Sequence, residues 1–113
     1  MRKAWIFESD NGERMSLLEN EFDGLLQMWG ITLAEHKEGN DIPLKECTVL
    51  ANKVEEMNGF TTYKRDGAKW SYHVDKDPTA RLGAHEAGPI DFETFVRFLR
   101  SARCCIRVGK GVA

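Results

Sequence analysis

The sequence predicts an α+β fold: a small antiparallel sheet, built from an N-terminal strand and a hairpin over residues 60–74, with about three helices packed mainly on one face. Three observations predict it. Residues 3–8 alternate Trp5 and Phe7 with Ala4 and Ile6, so both faces are apolar, as in a central strand or one covered by a partner. Asp66-Gly67 stands between two runs rich in aromatic and β-branched residues, a strong short-range hairpin signal. Apolar side chains also recur at helical spacing in three other stretches, the mark of helices with one buried face.

In chain order, Asp10-Asn11-Gly12 follows the first strand as turn chemistry. Ser16-Leu17-Leu18-Glu19 is a capping-box pattern that predicts a helix start at Ser16. Leu18, Phe22, Leu25, Leu26 and Trp29 then form one stripe, with Gly30 as the stop. Residues 31–38 admit two readings, a short helix opened by Thr32-Leu33-Ala34-Glu35 or a strand in which Ile31 and Leu33 alternate. After Asp41-Ile42-Pro43 a helix is expected to run to residues 58–59, its stripe Leu44, Cys47, Leu50, Ala51, Val54 and Met57. A two-residue turn at Asp66-Gly67 pairs Arg65 with Ala68, Tyr63 with Trp70 and Thr61 with Tyr72. Residues 75–89 hold Pro78, Gly83 and Gly88-Pro89 and read as a long loop. Asp91 then caps a last helix expected to reach Cys105, with Phe92, Phe95, Val96, Leu99, Ala102 and Ile106 inward and residues 109–113 as a frayed tail.

The 113 residues, 42% hydrophobic and 30% charged, make one domain over 1–113 with enough apolar content to exclude intrinsic disorder. No run approaches the ~20 apolar residues of a membrane span. Glu8 cuts the N-terminal apolar run short of the about 7–15 residues that a signal peptide needs. Cys47, Cys104 and Cys105 make an odd count without framework spacing, as expected of a reduced, cytoplasmic protein. No membrane partner follows. The net charge of −2 gives the whole molecule no reason to bind polyanions nonspecifically. That balance hides a split, however. Residues 1–56 hold 6 basic and 12 acidic side chains, and residues 57–113 hold 10 and 6.

Candidate sites are few. Arg97, Arg100, Arg103 and Arg107 recur every three or four positions, one stripe if the last helix runs through them all. The stripe reads either as a site for an acidic partner, phosphate or nucleic acid, or as a solvated face and intramolecular partners for Glu19, Glu21 and Asp23. Tyr63, Trp70 and Tyr72 share one hairpin face, as a stacking platform or as the hairpin's share of the core. His73-x-Asp75-x-Asp77, with His85 and Glu86 near by, is an oxygen and nitrogen donor set that a divalent metal would accept. Gly88 to Phe95 has the look of half an EF-hand loop, but the register puts Gly83, His85 and Ala87 at the first three ligand positions and Thr94 at the last, which excludes calcium there. No nucleophile elbow, Walker loop, zincin helix or Cys-x-x-Cys pair occurs. No cofactor is expected, and the reading leans away from an enzyme.

Thr32-Leu33-Ala34-Glu35 and the segment from Val49 to Phe60, followed by a hairpin with a charged tip, resemble bacterial winged helix-turn-helix regulators over about 43 of the 113 residues. That resemblance implies residues 44–57 as recognition helix and 64–69 as wing, with Lys64, Arg65 and Lys69 on nucleic acid. The helix sets Lys45 and Lys53 against Glu46, Glu55 and Glu56, a balance that opposes seating on phosphate. The first expectation is therefore a small soluble bacterial-type binding or accessory protein. It acts through a protein interface or a small-molecule pocket, with a second copy of itself, an acidic protein or a small molecule as partner. A winged-helix-like nucleic-acid binder is the alternative, and a metal-assisted hydrolase the second.

Overall fold

The computed structural model describes residues 2–67, 69–74 and 92–112. The fold is α+β, with helices packed against a four-stranded antiparallel sheet. Its strands are β1 (Lys3–Ser9), β2 (Arg14–Leu18), β3 (Asp41–Pro43) and β6 (Cys105–Val112), in the order β2-β1-β6-β3. The helices are α1 (Glu19–Met28), α2 (Leu44–Gly59) and α3 (Phe92–Arg100), with a short 3-10 turn at Leu33–His36. Hairpin strands β4 (Thr61–Asp66) and β5 (Lys69–Val74) form a separate two-stranded sheet.

β1 is central, as its two apolar faces predict, but its neighbours differ from those expected. They are β2 and β6, not the hairpin. Ser16 does not cap a helix. It lies in β2 opposite Ile6, and α1 begins at Glu19 without a side-chain cap. Met15 and Leu17 supply a period-two alternation, and pairing them with β1 satisfies a row of backbone groups, where a capping box satisfies only a few. The turn between the strands does follow its Asp10-Asn11-Gly12 signal: Gly12 takes φ +92°, and its N–H donates to the Ser9 carbonyl.

The last helix is likewise shorter than its apolar spacing suggests. α3 stops at Arg100, and residues 105–112 form the second central strand, not a helix end and a frayed tail. Ile106 is buried as expected, but from a strand. Asp10 holds the break, its carboxylate accepting the backbone N–H of Arg103 at 2.9 Å and of Cys104 at 2.6 Å.

Those donors, Arg103 first, outweigh partial desolvation and hold the Asp10 carboxyl below its ordinary value of 3.8. With the folded value depressed, the native chain binds fewer protons than the unfolded one as the pH falls. Asp10 therefore stabilises fully above pH ~4 and loses that contribution as the pH drops through the folded value. Asp10→Asn replaces one acceptor oxygen with an N–H donor. It is expected to lower the urea midpoint at neutral pH and to flatten the acid limb of a midpoint-against-pH series. An acid limb identical to wild type would count against this role.

One face of the sheet carries the core. Phe7, Leu17, Ile42, Ile106 and Val108 point inward against Phe22, Leu25 and Leu26 of α1, Leu50, Val54 and Met57 of α2, and Phe92, Phe95 and Leu99 of α3. Residues 31–38 resolve to the 3-10 turn, which buries Leu33 and His36. The α2 stripe is as expected except for Leu44, which is 44% exposed at the first helical position. In the hairpin, Tyr63 pairs with Tyr72 and Asp66 with Lys69, two residues out from the expected register. Gly67, at φ +59°, follows the Asp66–Lys69 pair and so opens the turn, one residue later than expected. An even shift leaves unchanged which residues share a face.

Candidate interaction surface

The face of the four-stranded sheet turned away from the core is exposed at Glu8, Arg14, Ser16, Arg107, Gly109 and Asp41, while Ala4, towards its other end, is fully buried. Its surface follows from the register. Arg14 of β2, Glu8 of β1, Arg107 of β6 and Asp41 of β3 are directly paired neighbours, so one row alternates plus, minus, plus, minus across the sheet. The next row runs Ser16, Ile6, Gly109, and the one after it Leu18, Ala4, Gly111. Two glycines in successive rows of a central strand leave a shallow trough of about 540 Å³ along β6, walled by Ile6 and by the Glu8, Arg14 and Arg107 side chains.

The glycines differ in what they answer to. A Cβ on Gly111 would meet Ile6 Cγ1 at 3.0 Å, so the close approach of Ile6 excludes any larger residue there. A Cβ on Gly109 would meet nothing within 4 Å, and its φ is not positive. Glycine in a strand interior costs roughly 0.5–1 kcal/mol relative to alanine. The fold therefore carries that cost at Gly109 without using the space.

In the charged row, Arg14 Nε lies 3.7 Å from Glu8 Oε1. Arg107 and Asp41 are exposed, and neither side chain has an ion-pair partner among the described residues. Thiol chemistry is not favoured beside this face. The Cys105 thiol is raised by desolvation and by the nearby Asp41 and Asp10 charges, and burial pushes Cys47 up to about 11. Both stay protonated, and the thiolate is the nucleophile.

The other expected site residues are dispersed. The four arginines do not make one stripe, because α3 ends before two of them. Arg97 lies 3.9 Å from Glu93 on its own helix, and Arg100 reaches Glu55 at 2.6 Å and Asn52 at 3.0 Å on α2. Arg103 stands in the turn and Arg107 on β6. The α1 carboxylates expected to receive them bind elsewhere: Glu19 to Lys110, Glu21 to Arg2, and Asp23 to the Trp5 indole N–H at 2.9 Å. The side chains of Tyr63, Trp70 and Tyr72 lie outside the described residues. So do Asp75, Asp77, His85 and Glu86 of the expected donor set; His73 is on β5 and exposed. Among the described residues no group of three or more His, Cys, Asp or Glu could hold a metal, and no helix is long and apolar enough to cross a membrane.

A second concavity, of about 490 Å³, opens between the end of α1 and the 3-10 turn, with Trp5, Leu26, Ile31 and Leu33 as walls. Its indole and charged groups are already engaged within the chain. The Trp5 indole donates to Asp23, and the Lys110 and Lys37 ammoniums sit 4.8 and 5.5 Å from the ring centroid. His36, 3% exposed, pairs through Nδ1 with Glu46 at 2.7 Å and ties the 3-10 turn to α2.

Sequence reasoning missed the outer face because it placed β6 in a tail. The alternation Ile106, Arg107, Val108 and the spacing of Gly109 and Gly111 were the available signals. The chain matches no protein-family model, no curated protein and no solved structure.

Proposed function

We propose that this chain is a small binding protein of the cytoplasm that acts by protein–protein contact through the exposed, charged part of the outer face of its four-stranded sheet. The observation that carries the reading is Gly109, a strand glycine whose missing side chain opens a trough that no described side chain occupies. An incoming side chain gives that space a use. Unpaired Arg107 and Asp41 beside the trough supply orientation, since a partner that brings opposite charges to both would be held in one register. An odd count of cysteines without framework spacing supports a reducing compartment. An acidic surface remains an acceptable partner for Arg14 and Arg107, but charge alone would not use the trough.

The test is a comparison of captured proteins. Tagged wild type and tagged Gly109→Val are used as baits under identical conditions, with circular dichroism as the control for folding. A Cβ at position 109 meets nothing within 4 Å in the monomer and valine suits a strand, so the expected result is a folded bait that loses a protein retained by wild type. Identical captures by the two baits, the untagged chain itself included, would overturn the reading. Filter binding across salt concentrations addresses the nucleic-acid alternative. A flat response is expected, and a steep fall of affinity with salt would favour that alternative instead.

A further inference from the structure

We infer that the partner of the outer sheet face, at its exposed charged row, is a second copy of this chain, related to the first by a two-fold axis that runs along the strands between β1 and β6. The inference rests on the preceding reading of this face as an interface and names its partner. It starts from the order of the strands. With β2, β1, β6 and β3 laid side by side, a rotation about that axis sets β1 against β6 of the second copy and β2 against β3 of the second copy. Distance along the strands is unchanged by the rotation, so each row meets its own counterpart in reverse.

Reversal turns the charged row into its own complement. Glu8 faces Arg107 of the second copy, and Arg14 faces Asp41 of the second copy, each pair occurring twice by symmetry. Arg107 and Asp41, which have no ion-pair partner among the described residues, each gain one. The same rotation places Ile6 over Gly109 of the second copy. The side chain that stands out from the face thereby meets the gap in it, twice. A two-fold axis across the strands would instead set each strand against itself, so that the charged row meets either its own like charges or a row without charge. The alternation thus selects one axis.

Size sets the strength. With β1 and β6 seven and eight residues long but β2 and β3 only five and three, the face is at most roughly 24 by 19 Å, below the about 800 Å² per partner of standard specific interfaces. Packed sheets cross at about −30°, so the match is best near the axis, where Glu8, Arg107, Ile6 and Gly109 lie. A reversible dimer of micromolar affinity is expected.

Sedimentation velocity from micromolar to millimolar concentration tests this on wild type, Glu8→Arg, Arg107→Glu, Gly109→Val and an equimolar mixture of the two charge variants. Wild type is expected to pass from monomer to dimer. Each charge variant alone faces like charges twice and should associate at least about tenfold more weakly. The mixture should recover a heterodimer. There the arginine introduced in one variant meets the glutamate introduced in the other across one half of the interface, and the native pair meets across the other half. Gly109→Val, whose Cβ has open space in the monomer, should keep its fold and lose the dimer. Wild type that is monomeric at every concentration, a mixture no stronger than its components, or a Gly109→Val dimer as tight as wild type would each overturn the proposal. If wild type stays monomeric while Gly109→Val still releases a different captured protein, self-association falls and the interface reading stands. If both comparisons show no difference, both fall.

Discussion

A chain ended at Cys104 is expected to show no cooperative unfolding transition and a collapsed near-ultraviolet dichroism signal. The truncation removes β6, which pairs with β1 on one side from Lys3↔Val112 to Ser9↔Ile106 and with β3 on the other. It exposes the backbone groups of both neighbours and deletes Ile106 and Val108, which are 0% and 1% exposed. Burial of such side chains contributes roughly 1.5–3 kcal/mol each, and each lost ladder bond about 0.5–1.5 kcal/mol. Together these match or exceed the ~5–15 kcal/mol that hold a typical domain folded. Removing only residues 112–113 is the control. Val112 is 57% exposed, and that shorter truncation should leave the transition close to wild type. A Cys104-terminated chain with an intact transition would mean that β6 is the tail its glycines suggest.

Phe22→Ala is the point substitution expected to cost most, about 3–5 kcal/mol. Phe22 is fully buried on α1, and its ring lies 6.1 Å from Phe7, 5.4 Å from Phe95 and 6.4 Å from Phe92, centroid to centroid. One side chain thus joins α1 to the sheet and to α3, and its loss leaves a cavity bordered by rigid rings that cannot collapse into it. Urea denaturation should show a much lower midpoint with an unchanged slope, because the surface exposed on unfolding stays nearly the same. A loss below ~1 kcal/mol would mean that the ring cluster relaxes around the gap. Phe22 was identifiable from spacing alone, as part of the stripe with Leu25 and Leu26; its partners on β1 and α3 were not.

That difference runs through the whole molecule. The inward faces of α1, α2 and α3 follow from apolar spacing, and Phe22, Leu25, Leu50, Val54, Phe95 and Leu99 are all buried. Gly30 ends α1 as expected, at φ +68°, with the Gly30 and Ile31 N–H groups returning to Gln27 and Leu26. Where two local signals overlapped, spacing misled. Ser16 offered both a cap and a strand position, and Ile106 continued a helical stripe while also beginning an alternation. In each case the strand won, because a partner strand could satisfy the backbone over many residues. The candidate site suffered most. The arginine stripe required α3 to continue to Arg107, but the carboxylate of Asp10 binds the chain just beyond its end, from a position 93 residues away in sequence.

By itself the sequence determined the class of the fold, the buried face of each helix and most turns, since these depend on residues within a few positions of one another. Only the tertiary structure decided which strands are neighbours, that the hairpin stands apart, and that Glu8, Arg14, Arg107 and Asp41 share one row. The physical reason is that strand pairing is non-local. Ala4 meets Gly111 through backbone hydrogen-bonding groups that nearly every residue carries, so no local pattern names the partner. The choice is settled by which arrangement buries the phenylalanine cluster while leaving no inner strand unpaired.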